Sequence, residues 1–257
     1  VSWKVFDSIE FGLPQSRKRI FIVGTQDKKV DLNGNEAKFT KLDSILEKGL
    51  EPLKSEFVDK LLSNFKIEDL YGKSIKDKRG GVNNIHSWDI GIKGAVTDEQ
   101  CNLLNKLFKE RRKKQWAIEI GIDWMDGMAL TLEQINTFID KPKNNLKSML
   151  DDLIKKGYLK FEHPKKLIKE QTPNGIKSYR DYDVTKPKGY NIVTGKLSFE
   201  INKILDPNDI APTLVATDVS RLAVPDGNGL RRLTIREGLR LFGYPEWYEI
   251  PTKDYYA

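Results

Sequence analysis

Two short stretches at opposite ends of the chain carry more folding information than anything between them. Toward the C-terminal end runs Arg231-Arg232-Leu233-Thr234-Ile235-Arg236-Glu237-Gly238-Leu239-Arg240-Leu241-Phe242-Gly243-Tyr244-Pro245. Thr234 and Glu237 stand at the T-x-x-E spacing at which a hydroxyl and a carboxylate satisfy each other's backbone amides, so a helix is predicted from Ile235. Ile235, Leu239 and Phe242 recur at helical spacing and predict one buried stripe. Gly243 stops that helix and Pro245 keeps it from resuming. Arg232 and Arg240 bracket it, placed to tie it either to neighbouring carboxylates or to phosphate.

At the other end, Val1-Ser2-Trp3-Lys4-Val5 alternates like a half-buried strand, and Arg19-Ile20-Phe21-Ile22-Val23-Gly24 is an apolar run closed by glycine. Gly12-Leu13-Pro14 reads as a turn between them, so the two strands are predicted to pair at a sheet edge. Alternation then puts Gln15, Arg17 and Arg19 on one face and turns Ser16 and Lys18 away. A carboxamide and two planar guanidiniums in a row can hold a base edge or a phosphate rigidly.

The run Phe11-Gly12-Leu13-Pro14-Gln15-Ser16-Arg17-Lys18-Arg19-Ile20-Phe21-Ile22-Val23-Gly24, taken with the C-terminal run, resembles the eighth and ninth motifs of the DNA (cytosine-5)-methyltransferases. Phe242-Gly243-Tyr244-Pro245 stands where that family usually has Gln-Gly-Phe-Pro, a change conservative in shape. The resemblance implies that the stretch between the motifs is a target recognition domain, which chooses the DNA sequence. It implies that Arg19 and Arg17 support the flipped cytosine and that Gln15 organises the local backbone. Arg232, Thr234, Glu237, Arg240 and Gly243 would then be scaffold of the recognition domain. Ala211-Pro212-Thr213-Leu214 resembles the family's Thr-Leu pair, which gives Thr213 a contact with the target-strand backbone.

The fold expected on this basis is α+β. The terminal strand pair of a Rossmann-like methyltransferase sheet (residues 1–25) is joined to a mixed recognition domain. That domain is expected to divide into a first part at 26–130, a winged-helix-like unit at 131–184, and a last part with the ninth motif at 185–257. Within it, Ser44 with Glu47, Thr97 with Gln100 and Thr131 with Gln134 are three further capping boxes. The first predicts a helix through Leu50, and Phe57, Leu61, Leu62 and Phe65 predict an amphipathic one. The second opens a helix that carries Leu103, Leu104, Leu107 and Phe108 inward, with Cys101 as a half-buried thiol. The third opens a helix to Ile139, followed by a turn and a helix over Asn145–Lys156. Tyr158-Leu159-Lys160-Phe161 then predicts a strand, with Ser178–Val184 as its partner.

Helix, turn, helix and hairpin resemble a winged helix, a module that serves either DNA or protein. Lys143, Asn145 and Lys147 would lead its second helix, and Lys165, Lys166, Lys169, Lys177 and Arg180 would line its wing. Two further basic stretches are candidates for DNA. Lys73–His86 is a glycine-bearing loop with Lys78, Arg79, Asn83 and Asn84, suited to enter a groove. Arg111 and Arg112 belong to a cluster that complements a helix terminus or clamps phosphates.

Composition fits these expectations. There are 44 Lys and Arg against 37 Asp and Glu, a net charge of +7, which suits a polyanionic partner. One Cys and two widely separated His exclude a disulfide framework and a zinc site, so no metal is expected. No apolar run approaches the ~18 residues a membrane span needs. The family resemblance implies localisation in the bacterial cytoplasm, at the nucleoid.

The chain opens without Met, in what already reads as a strand, and is expected to be a fragment. By resemblance, the Pro-Cys nucleophile, the Glu-Asn-Val acid and the cofactor-binding strand precede Val1, and a cofactor-contacting Gly-Asn-Ser-Val motif follows Ala257. The implied protein is the recognition part of an S-adenosylmethionine-dependent cytosine-5 methyltransferase of restriction–modification style. Alone it would be inactive and hold no cofactor. Its partners would be double-stranded DNA and a catalytic half, either on the same polypeptide or as a separate subunit. The alternative is a non-enzymatic winged-helix DNA-binding protein or regulator, which has no need of the strand pair in residues 1–24.

Overall fold

The computed structural model describes residues 1–33, 39–77, 83–173, 175–194, 199–215 and 219–250. It is a mixed α+β chain with several small sheets, gathered into two compact units. Described residues within 1–76, 80–85 and 198–257 form the first, and those within 77–79 and 86–197 the second. In chain order the first unit supplies β1 (Ser2–Asp7), β2 (Lys18–Val23), α1 (Glu56–Asn64), β3 (Ser74–Ile75) and β4 (Asn84–Ile85). The second supplies α2 (Asp98–Glu110), α3 (Lys114–Ile120), α4 (Leu132–Asn136), α5 (Lys143–Lys155), β5 (Leu159–Glu162), β6 (Lys165–Thr172), β7 (Gly175–Tyr182) and β8 (Gly189–Ile192). The first resumes with β9 (Lys203–Ile204), β10 (Leu222–Asp226), β11 (Gly229–Arg232) and α6 (Ile235–Leu241).

In the first unit β1 and β2 pair antiparallel, with Trp3 opposite Ile22 and Phe6 opposite Arg19. A separate five-stranded sheet runs in the order β11-β10-β9-β3-β4. Leu42, Leu205, Ala211, Leu222, Val224 and Leu241 form an apolar core in this unit.

The helix of the C-terminal run begins and caps as its spacing predicts: Thr234 accepts from the Glu237 amide at 3.1 Å and its own amide donates to the Glu237 carboxylate at 2.8 Å. Its buried side differs from the predicted stripe. Ile235 is 57% and Phe242 45% exposed, whereas Glu237, Leu239 and Leu241 are buried. The reason is the buried guanidinium of Arg231, at the end of β11. It donates to Glu237 at 2.7 and 2.9 Å and to Asp226 at 2.9 Å, and that pairing turns the Glu237 side of the helix inward.

The same pairing displaces the box expected at Ser44. The Glu47 amide donates to Glu237 at 2.7 Å and its carboxylate accepts from the Thr234 hydroxyl at 2.8 Å. The segment instead makes a short 3-10 turn over Leu42–Ser44, with the Ser44 hydroxyl on the Lys41 carbonyl. The stretch expected as a loop over Lys73–His86 holds two short strands, β3 and β4, which pair in parallel.

In the second unit the boxes at Thr97 and Thr131 both form. Trp88, Leu103, Leu107, Leu130, Leu146, Leu150 and Tyr158 share its core. The helix after Thr131 ends at Asn136 rather than Ile139, and α5 starts at Lys143. The strand partner expected for 158–161 is corrected: β5 pairs with β8, while β7 takes β6 along its whole length, from Lys165 opposite Tyr182 to Thr172 opposite Gly175. Gly189 makes the β8 arrangement possible. A Cβ there would lie 2.5 Å from the Leu130 carbonyl carbon, so only glycine lets β8 pass beside that backbone.

Removing one partner of a buried pair strands the other charge. Glu237→Ala is expected to lower the unfolding free energy by about 3–5 kcal/mol in denaturant titrations. Ile235→Ala, on the exposed side of the same helix, should change it by no more than about 0.5 kcal/mol.

Candidate nucleic-acid interface

Asp7 organises the turn that joins β1 to β2. Its carboxylate accepts from the Arg17 amide at 2.7 Å and the Ser16 hydroxyl at 3.1 Å, and its own amide donates to Glu10 at 2.9 Å. Burial alone would raise this carboxyl, but the Arg17 amide, the Ser16 hydroxyl and lesser contributions outweigh it and hold it below its usual range. A 3-10 turn over Ser8–Phe11 follows, closed by Gly12 in the left-handed region. Beside the turn lies Ala211, whose amide donates to Pro14 at 2.8 Å and whose carbonyl accepts from Ser16 at 3.0 Å. The Thr213 hydroxyl donates to the Ser16 carbonyl at 2.6 Å. The Thr-Leu pair and the Gln-x-Arg-x-Arg string, distant in sequence, therefore meet at one place.

Next to them is a groove of about 690 Å³. Phe6, Phe11, Phe21 and Phe242 wall it, and Gln15, Arg17 and Arg19 line it together with Ser8 and Tyr244, while Ser16 and Lys18 do not. The Arg17 guanidinium sits 5.2 Å over the Phe242 ring. Arg19 is exposed and donates to the Lys18 carbonyl at 2.7 Å. Gln15 is wholly buried, yet among the described residues neither its side-chain nitrogen nor its oxygen has a hydrogen-bond partner. A buried carboxamide left this way costs free energy, and such groups call for a functional reason. Gly243 ends α6 with φ 78° against Leu13, another residue of the groove.

The other candidate residues are scattered over distinct settings. Lys143 and Asn145 are exposed on the first turn of α5, and Lys147 pairs with Asp151. Asn83 is exposed in a turn and Asn84 lies in β4, whereas Lys78 and Arg79 lie outside the described residues. Arg111 is corrected as a phosphate clamp: it is buried, with its guanidinium on the Asn191 side chain and the Ile192 carbonyl. Burial, and then the neighbouring Arg112, push its pKa down to about 10. Arg112 itself leans on Asp126 at 3.5 Å and over the Phe108 ring. Arg240 pairs with Glu246 at 2.7 Å, and Arg232 stands 3.9 Å from Glu200. Burial and the nearby Asp89 raise the Cys101 thiol to about 11, so it is a poor nucleophile. Among the described residues no His, Cys, Asp or Glu cluster could hold a metal ion.

Residues 1–256 match the family of C-5 cytosine-specific DNA methylases, and the chain belongs to that family. It is 58% identical over 258 residues to the type II methyltransferase M.NlaIV of Neisseria lactamica, covering 100% of this chain and 59% of that protein. It is 57% identical to M.NgoBV of Neisseria gonorrhoeae (99% of this chain, 58% of that protein) and 33% identical to M.BanI of Aneurinibacillus aneurinilyticus (100% and 58%). These relatives are type II enzymes, the class of restriction–modification systems. The chain spans about three-fifths of the length of these curated relatives. No solved structure matches it.

The buried carboxamide makes a prediction opposite to that for an ordinary core residue. Gln15→Met replaces an unpartnered amide by a thioether of similar reach, and thermal unfolding should show a gain of about 1–2 kcal/mol. A loss would mean that the amide already has its partners within the fold.

Proposed function

We propose that this chain is the DNA-recognition part of a type II restriction–modification methyltransferase that adds a methyl group to C5 of cytosine. The observation that carries the reading is the groove in which a buried, unpartnered carboxamide lies with two guanidiniums between aromatic walls. An enzyme acting on a base must take it out of the stack and hold it by its polar edge and ring faces. Arg17 and Arg19 offer donors to the acceptor edge of a pyrimidine, and Gln15 adds to the lining a buried carboxamide with two N–H donors and a carbonyl acceptor. The phenylalanine rings supply the apolar faces, and Thr213, bonded to the Ser16 carbonyl between Gln15 and Arg17, is assigned to the target-strand backbone.

S-adenosylmethionine supplies the methyl group in this family's chemistry. The groove does not fit it: its lining has two guanidiniums and no carboxylate to receive the sulfonium or the ammonium group. Cofactor binding and the covalent step therefore belong to a catalytic half. That half, in our reading, packs on the outer face of β1–β2, where Val1, Trp3, Val5, Ile20 and Ile22 are 47–74% exposed.

The second unit runs helix, short bridge at Leu130, α4, α5, β5, hairpin and β8, the order of a winged helix. In this reading α5 presents Lys143, Asn145 and Lys147 to duplex DNA, with the wing contributing. Family membership tells against a non-enzymatic regulator. The cytoplasm, at the nucleoid, is the compartment that fits this partner, and no helix among the described residues is long and apolar enough to cross a membrane.

The test is Arg17→Ala and Arg19→Ala in the intact protein. Methyl transfer to a cytosine-containing duplex should fall by about 10²-fold or more, as when a preorganised donor is lost. Duplex binding should change only a few-fold. Unimpaired transfer by both variants would refute the assignment.

A further inference from the structure

The hairpin of β6 and β7 divides its charges unequally between its two faces. Opposed residues of an antiparallel pair share a face. On one side Lys165 opposes Tyr182, Leu167 opposes Arg180, Lys169 opposes Ser178 and Gln171 opposes Ile176. That face carries Lys165, Lys169 and Arg180 and no carboxylate. On the other, Lys166 opposes Asp181 and Glu170 opposes Lys177, so two cations meet two carboxylates. Lys166 also has Asp183 at 3.6 Å.

This face continues past the hairpin, where the Tyr182 hydroxyl donates to Glu162 at 2.8 Å and where Asp126 answers Arg112 at 3.5 Å. Arg180 donates to the Trp124 carbonyl at 3.0 Å, and the Trp124 indole N–H donates to the Arg112 carbonyl at 2.9 Å. Lys114 lies 5.7 Å over the Trp124 ring. Trp124 is thus held at its backbone and at its ring nitrogen, yet it remains 40% exposed. A fixed aromatic surface set among cations is a device for gripping a nucleic-acid backbone. Like charges gathered on one face repel, and a polyanion relieves that repulsion.

We propose that this face, continued by Trp124 and Lys114, docks on the phosphodiester backbone of duplex DNA, with Lys165 and Lys169 as its phosphate contacts and Arg180 holding Trp124 in place. The balanced face looks away from the duplex. The inference rests on the reading of the second unit as DNA-binding and assigns the side of the wing that does the work.

Two double variants of the intact protein test it, each changing the net charge equally. Lys165→Glu with Lys169→Glu should weaken duplex binding at 50 mM salt at least tenfold and flatten the slope of log affinity against log salt by about 2, near 0.9 per lost phosphate contact. Lys166→Glu with Lys177→Glu should change affinity less than threefold and leave the slope alone. Lys165→Gln with Lys169→Gln gives an intermediate loss, which guards against a folding defect in the Glu variant. Equal losses in the two Glu variants, or none in either, would overturn the proposal while the parent protein still binds duplex. Failure of the parent to bind duplex at all would overturn both this proposal and the reading beneath it.

Discussion

The buried ion pair between Arg231 and Glu237 sets the geometry on which the first unit depends. A guanidinium and a carboxylate cannot both be taken from water unless every remaining donor and acceptor is met. Here Asp226, the Glu47 backbone and the Thr234 amide meet them. The consequence is the rotational setting of α6. With Glu237 inward, Leu241 enters the core beside Leu42 and Ala211, and Phe242 is left at the surface over Arg17. Ala211 in turn holds the turn at Pro14–Ser16. A chain of contacts thus runs from one ion pair to the wall and polar edge of the groove.

The distribution of charge follows a similar logic. A net charge of +7 says nothing about which cations are free to meet a phosphate. Arg111 and Arg231 are committed to the interior, and Arg240 to Glu246. Conversely, one face of the β6–β7 hairpin keeps its cations without a carboxylate among them. Positive charge without a carboxylate partner is therefore concentrated on particular surfaces rather than spread over a basic protein.

Local chemistry was legible in the sequence, and long-range pairing was not. The boxes at Thr97, Thr131 and Thr234 form between partners within one turn, so their spacing is enough to propose them. The similar pattern at Ser44 fails because Glu47 is claimed by residues nearly two hundred positions away. The same blindness hid the role of Arg231: with Arg231-Arg232 side by side, only the register of β11 decides which one points inward. The pairing of β5 with β8 depends on the absence of a side chain at Gly189, a contact with Leu130 that no local pattern reveals. The alternation of Gln15, Arg17 and Arg19 did place all three on the groove, but the burial of Gln15 comes from the fold around it. Trp124 drew no notice as one tryptophan in a polar loop, since its worth lies in Arg180 and Lys114.

The central claim is that this chain chooses a DNA sequence. It is tested most directly by selecting bound duplexes from a randomised pool at low and at moderate salt. Enrichment of one short cytosine-containing sequence that survives moderate salt is the predicted result, because base contacts persist when phosphate attraction is screened. Binding that is blind to sequence and collapses with salt would contradict the account, leaving only a basic surface with an affinity for polyanions.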